Sequence, residues 1–137
     1  MIVVDTNILA YLWLPSNRQN DAIQLGRLYP EWAAPLLWRS EFRNVTAGLL
    51  RKGQLTRTEA EAATSRAARS LLGGEYSVDD HAVLDLVATS RCSAYNCEFV
   101  ALAQSRGTFL VTEDKQLLSS FPNRCKSITN ALKQAPS

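Results

Sequence analysis

The apolar positions along the chain follow two rhythms. Ile2-Val3-Val4, Trp32-Ala33-Ala34 and Phe109-Leu110-Val111 are short, unbroken apolar runs without alternation, which predicts strands buried on both faces. Between them, apolar residues recur every three or four positions, which predicts helices. A short helix runs from Ile8 to Leu14 and is stopped by Pro15 and Ser16. A second covers Asn20 to Tyr29, with Ile23, Leu25 and Leu28 facing inward and Pro30 closing it. Leu36 to Arg51 follows Pro35 and ends in Lys52-Gly53, a basic residue before a C-cap glycine. Thr56 to Leu72 opens with a Thr56/Glu59 capping box and ends at Gly73-Gly74. Tyr76 to Val78 reads as a brief strand. Asp79 or Asp80 then caps a helix through Leu84 to Ala88, with Val83, Leu84, Leu86 and Val87 in the core. Ser93 caps Ala94 to Ser105, which Gly107 closes; Lys115 to Ser119 makes a helical turn or two, and Ile128 belongs to a last edge strand.

Strand and helix patterns alternate with short connections, which predicts an α/β fold of three layers, α/β/α, around a central parallel sheet. A chain of 137 residues without repeat, linker or low-complexity tract fits one domain, here 1–133, with a loose tail at 134–137. With 46% hydrophobic and 20% charged residues, the composition is that of a globular protein and excludes disorder. A net charge of +2 is too mild to indicate nucleic-acid binding, and leaves polyanions open if the arginines cluster. Cys92, Cys97 and Cys125 are odd in number and lack metal spacing, which reads as reduced thiols in a cytosol. No apolar run reaches the roughly eighteen residues of a membrane span. No basic segment precedes an apolar one at the N-terminus, so a cytoplasmic location without membrane attachment is expected.

Asp5 stands at the carboxyl end of the first strand, the place where open α/β sheets bind ligands; it is either solvated there or present for chemistry. Asp114 ends a similar polar tip, Thr112-Glu113-Asp114, after the Phe109 run. On the long helix, Leu37, Glu41, Asn44, Val45 and Gly48 share one face, so Glu41 is either a boundary residue reaching solvent or a charge held inside for a reason. Three carboxylates meeting in a partly dry cleft would repel one another and need a cation. Oxygen ligands without histidine or cysteine select a hard ion, Mg²⁺ or Mn²⁺. One such ion, or two about 3.5–4 Å apart, suits hydrolysis of a phosphodiester. His81, the only histidine, reads as a surface or capping residue. Arg39, Arg43 and Lys115 either contact phosphates beside such a site or form a solvated face, whereas Arg57, Arg66 and Arg69 on the next helix read simply as a solvated face.

Four segments together resemble the motifs of PIN-domain ribonucleases, most of all VapC-type toxins of bacterial toxin–antitoxin pairs. They are Val4-Asp5-Thr6-Asn7, Ser40-Glu41-Phe42-Arg43-Asn44, the stretch Ser93-Ala94-Tyr95-Asn96-Cys97-Glu98-Phe99-Val100-Ala101-Leu102-Ala103, and Leu110-Val111-Thr112-Glu113-Asp114. The likeness covers nearly the whole chain, in order. It implies a PIN-like fold, metal held by Asp5, Glu41 and Asp114, hydrogen-bonding support from Thr6 and Thr112, and Asn44 close by. It also implies a homodimer, a cognate antitoxin protein and an RNA substrate. Where the family places a third acid after the tyrosine, this chain has Asn96, which offers the cation a carbonyl oxygen but no charge. Asn96 is thus expected in the metal and catalytic set, with weaker metal binding and slower hydrolysis; the bland alternative is a first-turn residue bonding near Ser93. Glu98, two residues on, turns away from that face and does not replace the acid. The expected function is therefore a metal-dependent endoribonuclease, the toxin of a pair, attenuated by Asn96. The alternative is a non-cleaving PIN-fold module that binds an antitoxin-like partner or RNA. A haloacid-dehalogenase-like phosphatase would need an aspartate where Asn7 stands, and a dinucleotide site would need a glycine-rich turn after the first strand.

Overall fold

The computed structural model describes residues 1–133. Its centre is β1 (Ile2–Val4), whose three side chains are all buried. β1 pairs in parallel with β2 (Trp32–Pro35) on one side and β4 (Leu110–Val111) on the other. β3 (Glu75–Tyr76) extends the sheet beyond β2, and β5 (Cys125–Lys126) beyond β4. The order is β3-β2-β1-β4-β5, parallel throughout.

Two apolar layers cover the sheet. Ile2, Val4, Ala34 and Val111 pack against α1 (Thr6–Trp13), α2 (Gln19–Leu28), α3 (Trp38–Arg51), α4 (Arg57–Ser70) and α8 (Ile128–Lys133). Val3, Ala33 and Leu110 face the other way, onto α5 (Asp80–Ala88), α6 (Ala94–Ser105) and α7 (Lys115–Ser120). This is the three-layer α/β/α, PIN-like architecture. Both sides of β1, β2 and β4 are covered, which is why these three strands read as continuous apolar runs. The chain steps outward from β1 to β2 and β3, then returns to the opposite side of β1 for β4 and β5. The strand order therefore reverses between β1 and β4, and the crevice at their carboxyl ends is where such a sheet holds ligands.

Capping explains most of the boundaries. The capping box at Thr56/Glu59 and the Ser93 cap form as expected, and Asp79 is the residue that caps α5. α1 starts at Thr6, before the expected Ile8, because Asp5 itself caps it. Three expectations are overturned. Ile128 opens a helix: Ser127 Oγ accepts the N–H of Asn130 at 3.1 Å, and the buried Ile128 joins the layer of α2. The edge strand is instead Cys125–Lys126, too short to leave an apolar run. Ile23 and Leu28 are exposed, because Ala22 and Leu25 turn the buried face of α2 away from them. Leu84 is 62% exposed, one residue of helical rotation off the Val83/Leu86 face of α5. The expected tail at 134–137 lies outside the described residues.

Gly74 leads into β3, and its carbonyl accepts the N–H of Ala34 at 2.9 Å. A Cβ at this position would collide with the backbone carbonyl of Trp32, which cannot swing aside. Gly74→Ala is expected to cost about 1–3 kcal/mol by forcing β2 and β3 apart. Thermal unfolding checks this, and an unchanged Tm would show that the edge yields.

Candidate active site

The polar tips of β1 and β4 meet through one hydroxyl. Thr112, wholly buried, donates from Oγ1 to Asp5 Oδ2 at 2.7 Å and accepts the backbone N–H of Asp114 at 3.0 Å. The other oxygen of Asp5 accepts the N–H of Thr6 at 2.7 Å, so this carboxylate caps α1 and touches β4 at once. Thr6 Oγ1 donates to Glu41 Oε1 at 2.7 Å, drawing the side chain from α3 to the same place. Asp114 caps α7, with Oδ1 accepting the N–H of Leu117 at 2.9 Å. Asn96, in the first turn of α6, donates its backbone N–H to Ser93 Oγ at 3.1 Å and its amide Nδ2 to Asp114 Oδ2 at 3.4 Å. The backbone of Asn96 thus serves the helix start, and its side chain serves the cleft.

Asp5, Thr6, Glu41, Asn44, Asn96 and Asp114 line one cleft of about 400 Å³, and Thr112 lies behind them. Six of the seven expected site residues therefore reach the same space, and the seventh ties two of them together. Asn7, Ser40 and Tyr95 also line the cleft, although nothing in the sequence pattern assigned them a role. For Ser40 the signal was its helical spacing, since it stands at i, i+4 from Asn44 on the face of Glu41. Tyr95 is 63% exposed at the rim.

No lysine or arginine is among the residues lining this cleft. Burial pushes the Asp5 carboxyl up from its ordinary range; the bonds from Thr112 and Thr6 oppose this, and the charge of Asp114 adds to it. Burial also raises Glu41, against the Thr6 bond and with help from the charges of Asp5 and Glu98. Glu98 lines the neighbouring groove with Leu36 and Val78, so it turns from the cleft as its helical angle requires, yet its charge still reaches Glu41.

The basic residues stand outside. Arg39 makes paired bonds to Glu75 at 2.7 and 2.8 Å and stacks on Trp38, which commits it to the fold. Arg43 is exposed, with one long bond to Ser40 Oγ at 3.3 Å, and Lys115 is exposed beside Asp114. Arg18, which the sequence did not single out, pairs with Glu113 at 2.9 Å next to the site. His81 is exposed at the start of α5, away from the cleft.

The polar lining consists of carboxylates, hydroxyls and the amides of Asn7, Asn44 and Asn96, and among the described residues no histidine or cysteine lines the cleft. Its chemistry fits a hard cation: carboxylates destabilised by burial and by one another, without a basic side chain to neutralise them. Among the described residues, no three His, Cys, Asp or Glu side chains close up as a complete ligand set.

Replacing Thr112 with valine removes both the donor to Asp5 and the acceptor for Asp114. Thr112→Val is expected to lower stability by about 1–3 kcal/mol and, should the cleft hold a cation, to weaken its binding about 10–100-fold by releasing the Asp5 carboxylate and the Asp114 backbone. Denaturant unfolding and Mn²⁺ titration read the two effects separately. Unchanged Mn²⁺ affinity would show that the hydroxyl only holds the strands.

No protein-family model matches the chain, and no curated protein matches it. Several solved structures share its fold, among them the following two. PAE2754 from Pyrobaculum aerophilum superposes with a TM-score of 0.76 at 18% identity, covering 98% of this chain and 88% of its own. FitAcB from Neisseria gonorrhoeae superposes with a TM-score of 0.71 at 15% identity, covering 94% of this chain and 99% of its own. At these identities the likeness is one of fold. No helix among the described residues is long and apolar enough to cross a membrane.

Proposed function

We propose that this protein is a metal-dependent endoribonuclease. The observation that carries the reading is the meeting of Asp5, Glu41 and Asp114, from three distant segments, in one cleft at the β1/β4 switch point without a lysine or arginine in its lining. Asp5, Glu41 and Asp114 would hold Mg²⁺ or Mn²⁺. When bound, such an ion supplies an activated water and stabilises the leaving oxygen of a phosphodiester. The chain's own residues set the stage: Thr6 fixes Glu41, Thr112 fixes Asp5 and the Asp114 backbone, and α7 holds Asp114 through Leu117. Asn44, Ser40 and Tyr95 line the same cleft and would touch the nucleotide being cut.

RNA as the substrate, a role as the toxin of a toxin–antitoxin pair with a cognate antitoxin protein, homodimerisation and a cytoplasmic location rest on the four-motif resemblance to VapC-type PIN-domain ribonucleases. One observation favours a second reading, a non-cleaving module that binds a partner or RNA. Asn96 is neutral where the resemblance calls for an acid, so the site holds less charge for a cation.

The test is cleavage of a mixed RNA pool by the purified protein with Mg²⁺ or Mn²⁺, against the same reaction with EDTA. Cleavage that appears with metal and vanishes with chelator supports the nuclease. Retained RNA binding without cleavage at any metal concentration favours the module.

A further inference from the structure

We propose that Asn96 limits the free protein to a single divalent cation, by acting as a hydrogen-bond donor to Asp114 rather than as a metal ligand. The inference rests on the metal-dependent reading above and concerns what this chain's own departure from the acidic pattern does to the site. The amide orientation follows from its neighbour: a carbonyl oxygen turned on the Asp114 carboxylate would set lone pair against lone pair, so the Nδ2 hydrogens face Oδ2, at 3.4 Å. Those hydrogens carry partial positive charge at the Asp114 carboxylate, which would disfavour a further cation there.

Charge makes the same point. Asp5, Glu41 and Asp114 together bring three negative charges to a cleft whose lining contains no basic residue. One dication leaves the site with one negative charge, whereas two leave it positive before any phosphate arrives. Two dications also repel each other about fourfold more strongly than two unit charges at the same distance. An acid at position 96 would supply the missing charge; an amide does not.

The coordinating capacity is limited as well. Both oxygens of Asp5, both of Asp114 and Oε1 of Glu41 already accept a bond from the protein. Among the described residues only Glu41 Oε2 among these six has no protein donor, so each carboxylate except Glu41 offers what lone pairs remain. Asn96 uses part of the capacity of Asp114 and adds none in this orientation.

The test is titration of the RNA-free full chain with Mn²⁺, followed by calorimetry and by the electron paramagnetic resonance of free Mn²⁺, with circular dichroism to confirm folding. Wild type is expected to bind one ion. Asn96→Asp is expected to bind two, or to tighten the first by about tenfold or more. Asn96→Ala is expected to bind its ion at least as tightly as wild type, since no ligand is lost and Asp114 Oδ2 is released from the amide. Two ions in wild type, an Asn96→Asp protein that behaves as wild type, or loss of the ion in Asn96→Ala would each overturn the inference. The last of these would make the Asn96 carbonyl a ligand. An absence of Mn²⁺ binding in all three folded proteins is a separate outcome, and removes the metal-dependent reading together with the inference.

Discussion

Asp5→Asn is expected to reduce RNA cleavage by about 10²–10³-fold while leaving the metal-free protein at least as stable as wild type. Asparagine is nearly isosteric with aspartate, so its carbonyl oxygen can still accept the N–H of Thr6 and cap α1. Its amide then faces Thr112 Oγ1, which can accept as well as donate. What disappears is a buried charge, and with it the carboxylate that lies between the other two. The pH dependence has a definite sign. The folded-state carboxyl of Asp5 is raised by burial above its unfolded value, so the native protein takes up this proton before the unfolded chain does. The stability linked to that proton is fully present below the unfolded value and is lost as pH rises through the folded one. Asp5→Asn does not titrate, so its advantage over wild type should be greatest at neutral pH and shrink as pH falls through that window. Thermal unfolding of both metal-free proteins across this range tests it. An advantage that grows on acidification, or a variant that unfolds far more readily at neutral pH, would show that Asp5 is a structural anion. Saturating Mg²⁺ should stabilise wild type and leave Asp5→Asn largely unmoved, because only a site that binds the ion gains from it.

The second large effect begins in the core. Phe42 is wholly buried, its ring meeting Trp38 edge-on with centroids 5.7 Å apart, and it follows Glu41 directly on α3. Phe42→Ala is expected to cost about 3–5 kcal/mol through lost burial and the cavity left behind, a large part of the 5–15 kcal/mol typical of a domain. The urea midpoint should fall with little change in slope. Phe42 also seats the helix that carries Glu41, so cleavage should weaken even at temperatures where the variant is folded. Leu84→Ala provides the contrast. Leu84 looks like a core residue in the sequence but is exposed on α5, and its replacement should stay within about 0.5 kcal/mol of wild type. Equal losses for the two variants would mean that Leu84 is covered by something not present here.

Much of this was legible along the chain, because it depends on neighbours in sequence. The apolar runs at Ile2–Val4 and Leu110–Val111 fixed two central strands. Ser93 and the Thr56/Glu59 pair fixed helix starts, since a cap needs only the next three residues. An acid directly behind one apolar run marked Asp5, and the polar tip Thr112-Glu113-Asp114 behind another marked Asp114. Rotation was less legible. Ile23 and Leu84 are apolar residues on helices whose buried faces lie one position away, and only packing against the sheet decides which face turns inward. Cys125–Lys126 is a strand because β4 offers it an edge, not because its residues ask for one.

The sequence by itself determined the inventory: which carboxylates end strands, which helix carries Glu41, and that Asn96 brings no charge. The tertiary structure decided the meeting. Whether three acids are neighbours or strangers depends on the reversal of strand order between β1 and β4, and on a threonine hydroxyl reaching from one end of the chain to the other. Local rules act over a few residues, whereas the repulsion among these carboxylates arises only once the folded sheet has brought those groups together and taken water away from them.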